Sequence, residues 1–280
     1  VQAFNMDSTN IRPEHWLRIA SIIRENYDGC DGFVITHGTD TMEESAYLLD
    51  LLHFADKPVV FTGAMRPATA LSADGPLNLL DAVRVAASDA ASDRGVMVVL
   101  NNSIHSARLA TKVSTMAVET FQSPIGGAIG AVNDGAVVFY HSAEIHHLPG
   151  ALSISERLTG QGELPYVPIF YGHGDDDGRL VKWAVENGAK GMVYAGMGNG
   201  SIPVRAEKEL AAVVQNGIWV IRASSSPCGM VTQAEVSYEQ AGFIASGWLN
   251  PRKARLLLQG FISRNISFAF SFKFAKISAQ

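Results

Sequence analysis

Short, continuously apolar runs alternate along the first half of the chain with stretches whose apolar side chains recur at helical spacing. The runs Gly32-Phe33-Val34-Ile35, Pro58-Val59-Val60-Phe61-Thr62-Gly63 and Gly95-Val96-Met97-Val98-Val99-Leu100 read as buried strands. Met42 to Leu52 and Leu77 to Ala87 read as amphipathic helices, and Ser72-Ala73-Asp74-Gly75-Pro76 opens the second of them with Pro76 in its first turn. Apolar strands alternating with helices predict a mostly parallel sheet covered on both faces, which is the α/β class. From Ile129 to Tyr140 the pattern changes to two runs around Asn133-Asp134-Gly135, the signature of a β-hairpin. A second α/β series follows. Tyr166 to Tyr171, Gly191 to Ala195 and Trp219 to Arg222 are its strands, and Asp177 to Asn187 and Val204 to Gln215 its helices. The pattern divides the chain into a larger N-terminal domain at 1–140, a mixed connection at 141–163 and a smaller C-terminal α/β domain at 164–280, with the boundary near residue 160.

Composition narrows the function classes. At roughly 150 residues per domain, 280 residues allow two domains. With 47% hydrophobic residues the chain can bury a large core, which excludes a disordered or fibrous protein. The 22 Lys and Arg against 27 Asp and Glu leave a net charge of −5, so no basic surface points to nucleic acid. No apolar run reaches the roughly 18 residues of a membrane span. Cys30 and Cys228 match no disulfide framework, and the eight histidines show no metal-ligand spacing, so no metal is expected.

Three loops follow the predicted strands of the first domain at their carboxyl ends, where open α/β sheets bind ligands. In Thr36-His37-Gly38-Thr39-Asp40-Thr41 a hydroxyl and a carboxylate stand side by side at a helix start. They suit either a nucleophile near a developing negative charge or a helix cap, and spacing alone favours the cap. Arg66, in Thr62-Gly63-Ala64-Met65-Arg66-Pro67, either binds an anion or covers backbone. The third loop, Asn101-Asn102-Ser103, leads to His105, Arg108 and Lys112; a buried lysine can act as a proton acceptor, whereas a solvated one is the commoner case. In the second domain, Gly196-Met197-Gly198-Asn199-Gly200-Ser201 lacks the dinucleotide spacing and its acidic partner about 20 residues later, so nucleotide binding is a poor reading. Asp175-Asp176-Asp177-Gly178 lacks the ligand spacing of a calcium loop.

Taken together, these loops resemble the bacterial L-asparaginase and glutaminase-asparaginase family, in its secreted, type II branch. The resemblance runs from Asn5-Met6-Asp7-Ser8 to Leu249-Asn250-Pro251-Arg252-Lys253-Ala254-Arg255. Its most specific segment is Asp31-Gly32-Phe33-Val34-Ile35-Thr36-His37-Gly38-Thr39-Asp40-Thr41-Met42-Glu43-Glu44, supported by Gly63 to Pro67 and Leu71 to Leu79. The resemblance implies an amidohydrolase that converts L-asparagine, with L-glutamine as a second substrate, to the acid and ammonia. It assigns Thr39, Asp40 and Lys112 to a catalytic Thr-Asp-Lys triad, with Thr39 and Asp40 also touching substrate. Ser8 would bind the substrate α-carboxylate, and Asn199 and Glu235 would complete the site of a neighbouring subunit. It further implies a homotetramer built from intimate dimers, no cofactor, no nucleic-acid or membrane partner, and a periplasmic or secreted location, although no signal peptide is visible.

Two departures from the family pattern shape the expectation. Relatives begin with a strand and a Thr-Gly-Gly-Thr segment whose first Thr is the primary nucleophile, while this sequence enters at the Asn-Met-Asp-Ser motif at its position 5. The first sheet strand and the acylating residue are therefore expected to be missing, and turnover by the sequence as written to be impaired. Residues 259–280 also form an atypical tail, strand-like from Phe261 onward. The alternative reading is a non-catalytic amino-acid-binding remnant of the same fold.

Overall fold

The computed structural model describes residues 1–52, 56–142, 164–233 and 235–263; the proposed connection, from residue 143 on, and most of the atypical tail lie outside these. The chain forms two compact units, Val1–Gly162 and Glu163–Gln280.

In the first unit, β1 (Phe33–Thr36), β2 (Val59–Thr62) and β3 (Val96–Leu100) are parallel neighbours. The expected parallel sheet continues in antiparallel fashion through β4 (Ser103–Ser106), then β7 (Gly130–Asn133) and β8 (Ala136–Phe139), in the order β1-β2-β3-β4-β7-β8. Between β4 and β7 the chain makes a separate two-stranded excursion, β5 (Thr111–Lys112) against β6 (Phe121–Gln122). β2 and β3 are buried at every position, as strands covered on both faces must be. Helix α1 (Pro13–Glu25) packs on α2 (Met42–Leu51), which lies against β3. On the sheet, Val60, Met97 and Val99 cluster with Ala82, Val85 and Ala86 of α3 (Gly75–Ala86). The predicted hairpin turn joins β7 and β8 with Asp134 at φ 48° and Gly135 at φ 80°, the left-handed pair that a two-residue hairpin requires.

The second unit is a parallel sheet of order β12-β11-β10-β9, with β9 (Ile169–Tyr171), β10 (Gly191–Gly196), β11 (Trp219–Ser224) and β12 (Ile244–Ala245). Helices α4 (Arg179–Glu186), α5 (Val204–Gln215), α6 (Val236–Gln240) and α7 (Pro251–Ile262) complete it. The apolar side of α5, with Ala206, Leu210 and Val213, packs on Met192 and Val220 of the sheet. Asn250 caps α7 by accepting from Lys253 N–H at 3.0 Å. The expected strand beginning at Phe261 is overturned for Phe261 and Ile262, which continue α7 because the cap and its apolar face extend the helical register through them.

Asn78, in the first turn of α3 and almost fully buried, ties the second and third carboxyl-end loops to the turn that opens α3. Its Nδ2 donates to Gly63 O at 3.0 Å and to Asp74 Oδ2 at 3.1 Å, and its Oδ1 accepts from Asn101 N–H at 2.9 Å. Replacing Asn78 by Ala strands these buried partners and is expected to cost about 2–4 kcal/mol, measurable by denaturant unfolding. A loss under about 0.5 kcal/mol would show that water replaces the amide.

Candidate active site

The site is built where β1 ends. His37 N–H donates to Thr62 O at 2.8 Å, extending the β1–β2 ladder by one residue before the chain turns. Behind the turn, Trp16 Nε1 donates to Ser45 Oγ at 2.7 Å, Ser45 Oγ lies 2.9 Å from His37 Nε2, and His37 Nδ1 lies 2.6 Å from Gly38 O. A carbonyl can only accept, so Nδ1 carries the proton and Nε2 accepts from the Ser45 hydroxyl. Burial lowers the His37 pKa, with the Gly38 carbonyl opposing, which favours this neutral ring. The relay from α1 through α2 fixes the backbone that precedes Thr39.

Ser8 is buried against the same turn. Its carbonyl accepts from Thr41 Oγ1 at 2.7 Å, and a Cβ added to Gly38 would stand 2.7 Å from Ser8 Oγ, so only glycine admits this approach. Asp7 caps the short turn at Ser8–Asn10 through Thr9 N–H at 2.9 Å and the Thr9 hydroxyl at 2.8 Å, which hold its carboxyl below the usual range.

Thr41 holds the N-cap position of α2 without a side-chain capping bond, its hydroxyl turned to Ser8 O, and Thr39 and Asp40 lie before the helix start that spacing alone favoured for them. Both turn instead to Lys112 on β5. Lys112 Nζ donates to Thr39 Oγ1 at 2.9 Å and to Asp40 Oδ1 at 2.5 Å. The lysine side chain is 13% exposed and that of Asp40 58%, so the hydroxyl and cation sit inward while one edge of the carboxylate faces outward. This arrangement can pass a proton from a hydroxyl to an amine and can hold a ligand cation on Asp40.

Other candidates are employed elsewhere. Arg66 Nη1 donates to Ser72 O at 2.8 Å and Ser72 Oγ at 2.7 Å, so it covers its own loop. Asp74 accepts from Met65 and Arg66 N–H, both at 2.9 Å; burial raises its pKa, but those bonds and Asn78 together outweigh burial and lower it. In the acidic run, Asp176 accepts from Tyr194 Oη at 2.7 Å and Asp177 holds Arg179. Among the described residues, no group of three or more His, Cys, Asp or Glu is placed to hold a metal ion.

In the second unit, Asn199 lies in the turn after β10 and Glu235 precedes α6. The Asn199 amide is oriented by its own chain, since Nδ2 donates to Thr232 Oγ1 and Oδ1 accepts from Thr232 N–H, both at 2.9 Å, which uses one of its two N–H donors. The roles of Trp16, Ser45 and Asn78 were not anticipated from sequence. They lie inside ordinary helical patterns, and no local signal marks them.

The family description "Asparaginase, N-terminal" matches residues 1–145, and "Glutaminase/Asparaginase C-terminal domain" matches residues 166–269. A protein of Haemophilus influenzae named "Probable L-asparaginase periplasmic" is 44% identical over 259 residues, covering 92% of this chain and 73% of its own length. "L-asparaginase 2" of Escherichia coli is 43% identical, with 92% and 74% covered. The crystal structure of a probable cytoplasmic L-asparaginase from Campylobacter jejuni superposes with a TM-score of 0.89 at 39% identity, covering 100% of this chain and 88% of that one. The chain belongs to the asparaginase family.

Proposed function

We propose that the chain is an amidohydrolase acting on L-asparagine, with Thr39, Lys112 and Asp40 as its proton-transfer group. The observation that carries this reading is the single lysine Nζ shared between Thr39 Oγ1 and Asp40 Oδ1 at the carboxyl end of β1. A threonine hydroxyl is a weak nucleophile until a base takes its proton, and Lys112, once neutral, is the amine within reach. In the reaction, water adds to the amide carbon, the C–N bond breaks, and the leaving nitrogen takes a proton to depart as ammonia. The outward carboxylate edge of Asp40 receives the substrate α-ammonium, and Ser8, fixed against Gly38, receives the α-carboxylate. Glutamine, one methylene longer, is the second substrate.

The assembly is a homotetramer in which Asn199 and Glu235 complete a neighbouring subunit's site. Half-exposed Leu77 (50%), Leu80 (48%) and Val83 (48%) on α3 support a self-association surface. Export to the periplasm accords with the name of the Haemophilus relative, whereas the Campylobacter relative is named cytoplasmic.

The test is ammonia release from L-asparagine by the purified chain and by a version extended at its front with an apolar strand and a Thr-Gly-Gly-Thr segment. Sedimentation of the same samples reads the assembly. The extended version is expected to release ammonia, and failure of both versions would overturn the enzymatic reading. Binding of L-aspartate without any release would favour the non-catalytic amino-acid-binding alternative.

A further inference from the structure

Arg222, on β11, is among the largest fully buried side chains of the protein, at 1% exposure. Burying a guanidinium is costly, and the usual compensation is a carboxylate. Here the hydrogen bonds go to backbone instead: Nη1 donates to Asn199 O and Nη2 to Thr232 O. The guanidinium carbon lies 4.7 Å from the centre of the Tyr238 ring, a cation–π contact. Tyr238 in turn accepts from Ile202 N–H at 3.0 Å. The turn after β10 is shaped around this side chain. Gly200 has φ 75°, and a Cβ there would stand 2.8 Å from Arg222 Nη1.

Arg222 thus grips the chain at Thr232 and Tyr238, three residues before and three residues after Glu235, and holds the Asn199 turn at a third point. Burial draws the Arg222 pKa below the ordinary arginine value, while Tyr238 and the Glu235 carboxylate oppose this, which places Glu235 within electrostatic reach. An apolar side chain of similar length would fill the same space without the desolvation cost, but it could not hold two carbonyls at once. The charge is retained where it brackets one carboxylate.

We propose that Arg222 is a positioning residue, which locks the 196–201 turn to the 232–238 segment and so presents Glu235 to the α-ammonium group of an amino-acid substrate. This rests on the amidohydrolase reading above and names the residue that sets its ammonium recognition.

The experiment compares L-aspartate with succinate, the same dicarboxylate without the ammonium group, by calorimetry on the full chain and on Arg222→Met, Arg222→Lys, Glu235→Gln and the Arg222→Met/Glu235→Gln double variant. Arg222→Met is expected to weaken aspartate about tenfold, the loss of one charge-assisted hydrogen bond, while changing succinate less than about twofold. Arg222→Lys, which keeps the charge but only part of the two-carbonyl grip, is expected to fall between. In the double variant the second substitution should add little, because a displaced Glu235 has already lost its role. Equal weakening of both ligands, or full additivity in the double variant, would show a merely structural residue and overturn the inference. If Arg222→Met does not fold, an unchanged aspartate-to-succinate ratio in Arg222→Lys overturns it instead. Should the unaltered chain bind neither ligand, the same comparison is made in the extended version, and binding of neither ligand there overturns this inference, while ammonia release decides the amidohydrolase reading separately. Should it bind aspartate and only the Arg222 comparisons fail, that reading stands.

Discussion

Replacing Lys112 by Met is expected to lower kcat by about three to four orders of magnitude, with KM changed only a few-fold, in whichever form of the chain turns over asparagine. The methionine keeps the length and apolar stem of the side chain but removes the amine that touches both Thr39 Oγ1 and Asp40 Oδ1. Without it the hydroxyl has no base to accept its proton, and the chemical step loses its driving group. Stability should barely move. An ion pair whose carboxylate side chain is 58% exposed contributes at most about 1 kcal/mol. Ammonia release and a thermal unfolding curve on the same sample separate the two effects. A Lys112→Met protein with kcat within tenfold of the parent would remove Lys112 from the chemistry.

The second large effect falls on Thr39. Thr39→Val preserves the β-branched shape and deletes only the hydroxyl that Lys112 Nζ meets at 2.9 Å. It is expected to cost about three orders of magnitude in kcat, whereas Thr39→Ser, which restores a hydroxyl on a looser side chain, should recover most of that loss. Initial-rate ammonia assays decide it. If Val and Ser variants behave alike, the hydroxyl is not in the reaction and Thr39 serves only to shape the turn. The Trp16–Ser45–His37–Gly38 relay makes that outcome readable, because it holds the turn independently of the Thr39 side chain.

The strands β1 to β3 and helices α2, α3 and α5 lie where apolar periodicity put them, with ends displaced by one or two residues. The Asp134-Gly135 turn was legible because its backbone demand is local. Thr39 and Asp40 were legible as polar residues at a strand's carboxyl end, but spacing alone favoured a cap, whereas the N-cap position falls on Thr41 and no side chain caps the helix there. Lys112 was legible only as a lysine beyond the third loop, with the solvated state as the commoner reading, and its pairing came from the family resemblance. It reaches Thr39 across 73 residues only because β5 and β6 leave the main sheet between β4 and β7. Arg222 looked like the last residue of an apolar run, and its burial and three-point grip appear only once β11 stands between β10 and β12.

By itself the sequence determined the class of the fold, the order of its elements and the loops able to carry chemistry, since hydrophobic period and turn preference act over a few residues at a time. Its longer motifs also carried the family resemblance. The resemblance grouped Lys112 with Thr39 and Asp40, but only the tertiary structure supplied the contact between them, and it alone brought Ser8 against Gly38 and Arg222 against the two segments around Glu235. The physical reason is that these meetings depend on strand order and on burial of charge and hydroxyl, both products of long-range pairing that no local window contains.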